Sequence, residues 1–202
     1  MSIDTSAGTS IDTSIDASVR TATVFMTVGT DHHPFQRLVD WADRLAAEPG
    51  LTVIVQHGSA TAPSQATGHV ALSHEEVLRL MRAADVVVAQ GGPGGIMDAR
   101  ACGRLPIVVP RDPARGEHVD DHQQRFAAHL EARGRVVVAT DEADLHLLVR
   151  RALAEPARFT AEPQESPTVA TGRAIEASLE AVLHRAARRS RRRSWRRVPA
   201  AG

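Results

Sequence analysis

The sequence predicts an α/β fold, a doubly wound, mainly parallel sheet spanning residues 21–154. Three observations predict it. Short apolar runs recur without strict polar alternation, as in strands buried on both faces. Each run is followed by a segment whose apolar residues have helical spacing. Glycine, proline or a capping residue punctuates the junctions.

Residues 23–28 form the first apolar run, ending at Gly29: a buried strand, then a turn. Over 34–48, Phe35, Leu38, Val39, Ala42 and Leu45 share one helical face. Pro34 suits the first turn of that helix, and Pro49-Gly50 stops it. Residues 51–56 make a second strand, closed by His57-Gly58. Ser73, with Glu76 three residues on, forms a capping box for a helix over 74–83. Residues 85–89 are a third strand, running into Gln90-Gly91-Gly92-Pro93-Gly94-Gly95. A helix then extends to about Cys102, with Gly103 as its C-terminal cap. A strand over 106–109, a polar loop over 110–119, a helix over 119–133, a strand over 135–139 and a helix over 141–153 complete the domain.

The flanks differ. Residues 1–20 repeat Ser-Ile-Asp-Thr-Ser at 2–6 and 10–14 and are expected to be a disordered, low-complexity tail. Residues 155–171 are Pro/Glu/Thr-rich and read as a linker, 172–187 as an amphipathic helix, and 188–202 as an Arg-rich tail.

The chain's 202 residues, 43% of them hydrophobic, suit one domain of ordinary size. The formal net charge of zero hides an asymmetry: eight arginines and no acid lie in 185–197, so the remainder carries −8. All 24 basic residues are arginine, which we read as genomic base bias. A single cysteine, Cys102, excludes a disulfide framework and a cysteine-only zinc site, and its apolar helix makes it a core residue. No apolar run approaches a membrane span, and the acidic, Ser/Thr-rich N-terminus is no signal peptide. A cytoplasmic protein is expected. The stretch from Arg188 to Arg197, with Trp195, suits an anionic membrane surface, which would place the chain at the inner face of the membrane. It is equally a plain basic tail. Nucleic acid is not expected, given the acidic remainder and few aromatic residues.

In open α/β sheets ligands bind at the carboxyl ends of the strands. Four such ends carry suggestive residues: Gly29-Thr30, Gln56-His57-Gly58, residues 90–95 and residues 110–122. Gly91, Gly92, Gly94 and Gly95 would let backbone N–H groups and a helix N-terminus hold a phosphate, or they serve a turn requiring positive φ. The pattern is neither a Walker loop nor the dinucleotide fingerprint. Asp98, on the first turns of the helix, could hold a ribose or be a surface carboxylate favoured by the dipole. The loop RDPARGEHVDDHQQ offers Glu117, His118, Asp120, Asp121, His122, Gln123 and Gln124. These could read sugar hydroxyls, bind a metal, or be a solvated loop. A metal is not expected, because His118 and His122 share a helix face only if the helix starts early and no third ligand is evident. His32 and His33 are candidates for a general base or diphosphate contact, or simply helix-entry residues. Ser59, Ser64 and Ser73 lack nucleophile-elbow spacing.

These motifs together resemble the C-terminal, donor-binding half of GT-B glycosyltransferases of family 28, a Rossmann-like domain. The chain is similar in particular to the small catalytic subunits of two-component glycosyltransferases: the cytosolic subunit of the dolichol-linked N-acetylglucosaminyltransferase, and exopolysaccharide glucuronosyltransferase subunits. The resemblance covers about residues 23–140, through Phe25-Met26-Thr27-Val28-Gly29-Thr30, Val55-Gln56-His57-Gly58, the segment 91–98 with Gly103 and Pro106, and Glu117-His118-Val119-Asp120-Asp121-His122-Gln123. It implies a UDP-sugar donor and inverting transfer without an essential metal or other cofactor. Gly91, Gly92, Gly94 and Gly95 would hold the diphosphate, bordered by Gly29 and Thr30. Asp98 matches an acidic residue that holds the ribose. Gln123, with Gln124, matches residues that contact the sugar, and Glu117, His118 and His122 join that set. Gln90 stands where the family has His, Gly95 where it has Ser or Thr, and the Gly103–Pro106 spacing is one residue long. The resemblance also implies an acceptor lobe on a membrane-associated partner subunit. The general base is expected on that partner, with His32 or His33 as the candidates on this chain. A non-catalytic nucleotide-sugar-binding subunit is the alternative.

Overall fold

A computed structural model describes residues 21–163. The expected tail over 1–20, helix over 172–187 and Arg-rich stretch lie outside the described residues.

Six strands form one all-parallel sheet: β1 (Ala22–Thr27), β2 (Leu51–Gln56), β3 (Thr67–His69), β4 (Val86–Gln90), β5 (Ile107–Val109) and β6 (Val137–Val138). Their spatial order is β3-β2-β1-β4-β5-β6. Among the described residues four α-helices cross between them, α1 (Gln36–Ala46), α2 (His74–Ala83), α3 (Pro93–Ala101) and α4 (His122–Glu131), and α5 (Glu142–Ala154) follows β6.

Alternate strand residues feed opposite faces. Val24, Met26, Val53, Val55, Val86 and Val88 pack with α1 and α5, through Leu38, Val39, Ala42, Leu45, Leu145 and Val149. Phe25 and Val87 point the other way, onto Met81 of α2 and Ala99 of α3. Val108 meets Ala127 of α4 and Ile96 of α3. Burial of both faces explains why the strands read as continuous apolar runs.

The local signals act as expected at several ends. Ser73 and Glu76 make the reciprocal capping box of α2. Gly103, at φ +77°, turns the chain out of α3. Other boundaries move. Pro34 lies before α1, which starts at Gln36 with Leu38 and Val39 N–H donating to the Phe35 carbonyl. The helix expected over 119–133 spans only 122–131, and the strand expected over 135–139 is the two-residue β6. β3 was not anticipated. Of the stretch read as a linker, residues 155–163 are described, and they begin by packing back. A 3₁₀ turn over Pro156–Phe159 buries Phe159 in the core, and Thr160 bridges to Arg104.

Candidate functional site

The strand order reverses between β1 and β4. From β1 the chain builds outward to β2 and β3, then returns to β4 on the other side, leaving a crevice beyond the ends of β1 and β4. Register places Thr27 level with both Gln56 and Ala89, so three strands end side by side. A cavity of about 420 Å³ opens there. Its wall includes Thr27, Gly29 and Thr30 after β1, Gln56 of β2, Gln90 of β4, Gly92–Gly95 and Asp98 of α3, and His74 and Met81 of α2.

The glycines are not a flexible loop. Only Gly91 and Gly92 separate β4 from α3, and the helix begins at Pro93, so Gly94 and Gly95 are its first turn. None of the four has positive φ, which removes the turn-strain reading. Two of the four have a steric reason to lack a side chain. A Cβ on Gly91 would lie 2.8 Å from Gln123 Cβ, and one on Gly92 2.9 Å from Gln90 Nε2. A Cβ on Gly94 would meet nothing within 4 Å, and one on Gly95 only ordinary contacts with Thr27 and Ala89. Gly92 is the N-cap and gives α3 no side-chain cap, so the first-turn N–H groups face the cavity without an internal acceptor from that side chain. Gly29, at φ +76°, lets the β1 loop press against Gln90, where a Cβ would sit 2.1 Å from Nε2. Its N–H donates to Thr27 Oγ1 at 3.2 Å.

Asp98 lines the far wall, 8% exposed, with His74 Nδ1 3.5 Å from its Oδ2. His74 was missed in the sequence; its one signal is its place directly after the Ser73 cap.

Beneath the crevice lies a group that sequence reasoning also missed. Arg111 is fully buried. Its Nε donates to Gln90 Oε1 (2.9 Å), Nη1 to the His33 and Glu117 carbonyls (2.6 and 3.0 Å), and Nη2 to the Val28 carbonyl (2.9 Å). Its guanidinium stacks over Phe35 at 4.8 Å. Burial draws it below its usual basicity, opposed by the charges of Asp31 and Glu117. Arg37 performs a parallel task, gripping both Glu117 oxygens at 2.8 and 2.7 Å and the Pro110 carbonyl at 3.0 Å. Two arginines thus tie the β5–α4 loop to the ends of β1 and α1.

That loop is where placement departs most from expectation. Glu117 is spent on Arg37 and the Asp112 N–H, and is 5% exposed. Gln123, 3% exposed, donates to Gln90 Oε1 and accepts from the Arg111 N–H. A sugar contact from Gln123 requires this network to open. Gln124 lines a separate hollow of about 370 Å³ with Arg37, Asp112 and Arg115. His32, His33, His118 and His122 do not line the crevice cavity. They gather instead with Asp31 and Asp120. His33 Nδ1 is 2.7 Å from Asp31 Oδ1, and the His33 and His118 rings lie 5.7 Å apart. Burial would raise the Asp31 carboxyl, but hydrogen bonds from the His33 N–H and ring, with Arg111 nearby, bring it down to about 2. α4 starts only at His122, so His118 and His122 share no helix face, and the third group beside them is Asp120.

A family model described as the glycosyltransferase family 28 C-terminal domain matches residues 23–178. Among solved structures, the chain is similar to the glycotransferase of kitacinnamycin (19% identity, TM-score 0.53), over 68% of this chain and 36% of that one. It is similar to the calicheamicin glycosyltransferase CalG4 (15% identity, TM-score 0.52), over 70% and 37%. ALG13 in solution aligns at 17% identity and TM-score 0.48, over 74% of this chain and 92% of that one. At these identities the likeness is one of fold, and the chain spans little more than a third of the length of the first two. No curated protein matches the chain in sequence.

Proposed function

The chain belongs to the family of glycosyltransferase family 28 C-terminal domains, and from that premise we propose that it is the donor-binding, catalytic lobe of an inverting UDP-sugar-dependent hexosyltransferase. The acceptor, lipid-linked or polysaccharide, would be held by a partner subunit at the membrane. The observation that carries the reading is the cavity at the β1–β4 switch, where the first turn of α3 presents backbone N–H groups past glycines.

In this reading the diphosphate lies against Gly92, Gly94 and Gly95, with Gly29 and Thr30 opposite and Gly91 packed beneath. The helix dipole and N–H groups are oriented before reaction, so they stabilise charge on the departing UDP without reorganising. Asp98 accepts the ribose hydroxyls, in competition with His74. The sugar leaves the cavity past Thr30 toward the β5–α4 loop, bordered by His118 and His122. The partner supplies the general base, with His32 and His33 as the alternatives on this chain.

Calorimetry with UDP and a panel of UDP-sugars tests the donor site. Asp98→Ala should weaken UDP at least tenfold, since a charged hydrogen bond contributes about 1.5–3 kcal/mol; unchanged affinity removes the ribose assignment. A second reading, a nucleotide-sugar-binding subunit without catalysis, is favoured by Gln90, whose oxygen is spent on Arg111 and Gln123. Donor hydrolysis or sugar transfer in the presence of a co-expressed partner, abolished by Asp98→Ala on this chain, decides between them. Deleting residues 185–202 should release the chain from its partner or from anionic vesicles; unaltered recruitment would retire that role for the arginines.

A further inference from the structure

The cluster beside the crevice has chemistry of its own. Two short segments meet there, Asp31-His32-His33 after β1 and His118-Val119-Asp120-Asp121-His122 before and into α4. We propose that His118, Asp120 and His122 bind a divalent transition-metal ion of the zinc class, with Asp31 orienting His118 from behind. The inference does not rest on the donor reading: none of the three ligands lines the crevice cavity.

Three observations support it. First, one ligand atom from each of the three residues lies within 4.8 Å of the others. Two imidazoles and a carboxylate are a donor set suited to zinc or cobalt, and three protein ligands leave a position open.

Second, His118 is unfinished. Its side chain is 12% exposed, and Nδ1 is buried with no hydrogen-bond partner. Nε2 lies 3.3 Å from Asp31 Oδ2, and a ring proton placed there leaves Nδ1 with a bare lone pair. That lone pair lies 3.7 Å from Asp120 Oδ1, too far for a hydrogen bond. Two electron-rich atoms facing each other in a half-buried site call for a cation between them.

Third, the surroundings hold the ligands in place. Asp31 accepts from the His33 N–H and contacts its ring nitrogen, both at 2.7 Å, so it cannot turn away from His118. A carboxylate behind a metal-bound histidine fixes the tautomer and raises ligand basicity. Asp120 accepts from the His122 N–H at 3.1 Å and contacts the His122 ring, which directs that ring toward the same point. The T-shaped His118–His122 pair, 4.6 Å between centroids, completes the approach. The N-terminus of α4 disfavours a cation, and Asp120 and Asp121 offset that dipole.

Two competing arrangements are weaker. Simple His–Asp pairing leaves the buried His118 Nδ1 without a partner. The other triad, Asp31-His32-His33, also has its atoms within 4.8 Å, but it holds no buried ring nitrogen without a partner, and His32 is 86% exposed.

The test uses the full chain, freed of metal by a chelator and measured without nucleotide, so failure of UDP binding leaves it unaffected. Zn²⁺ is titrated by calorimetry, and Co²⁺ by its visible absorption, whose intensity reports a low-coordinate site. One ion should bind per chain. His122→Ala and Asp120→Asn, both on exposed side chains whose loss leaves the core intact, should weaken Zn²⁺ at least tenfold. Asp31→Asn should weaken it by roughly 10–100-fold through orientation alone. His32→Ala and His129→Ala should leave it unchanged. Zn²⁺ affinity that ignores His122→Ala and Asp120→Asn, or that follows His32 instead, overturns the proposal, as does the absence of saturable binding.

Discussion

Arg111 shows how much one side chain can organise. It satisfies carbonyls at Val28, His33 and Glu117 and the side chain of Gln90, drawing β1, β4 and the β5–α4 loop onto one cation. Arg111→Met keeps most of the volume but strands those acceptors in the interior. We expect a loss of at least about 3 kcal/mol in urea unfolding, with UDP binding lost as the crevice wall loosens. Nothing in the sequence marks this residue: an arginine after a strand looks like a surface charge, and most of its partners are backbone atoms contributed by remote segments. The glycines were visible as a group but not in their separate reasons. Gly91→Ala forces its methyl against Gln123 and should cost about 1–3 kcal/mol. Gly95→Ser has room, beside Thr27 and Ala89, and improves helix propensity by roughly 0.5 kcal/mol. It also places a hydroxyl on the proposed diphosphate wall, so UDP affinity should rise several-fold. A fall in affinity would mean that the phosphate does not lie there.

Among the elements, those with self-contained signals were legible. α2 carries its capping box in four residues, and α1 shows its buried face as a helical stripe. β3 was not, because Thr67-Gly68-His69 has no apolar pattern of its own; it is a strand because Ile54, Val55 and Gln56 of β2 pair with it. What leads the chain into β3 is Asp43 of α1, whose carboxylate accepts from the N–H groups of Ser64, Gln65 and Ala66 and from the Ser64 hydroxyl. Burial would raise this carboxyl, but those donors outweigh it and hold it below its ordinary 3.8. A carboxyl lowered on folding stabilises above its unfolded value, and that contribution disappears as pH falls through the folded one. Asp43→Asn should therefore destabilise by about 1–2 kcal/mol near neutrality. The gap from wild type should close as the solution is acidified below 3.8. A gap that is constant with pH in urea titrations would show that the charge is irrelevant.

For the molecule as a whole, the doubly wound class was readable from strand–helix alternation, and the strand order then set the crevice lined by Gly29, Thr30, Gln56, Gln90, Gly92–Gly95 and Asp98. The polar loop was harder to read, since Glu117 and Gln123 look like ligand-facing residues and are occupied by Arg37, Gln90 and Arg111. On the proposed division of labour, the purified chain should bind UDP yet transfer no sugar, and transfer should appear on adding the partner. Transfer by the chain alone would refute the need for a second lobe. No helix among the described residues is long and apolar enough to cross a membrane.

The two margins of the sheet restrict how a companion could join. β3 has three residues and β6 two, one margin with a central glycine and the other a pair of valines. Strands so brief offer only a rung or two of unpaired backbone and make poor templates for another chain's strand. Among the described residues, then, assembly by extending the sheet sideways is disfavoured. On the proposed two-lobe reading, a companion that docks end-on over the mouth of the crevice would cover the pocket as it forms.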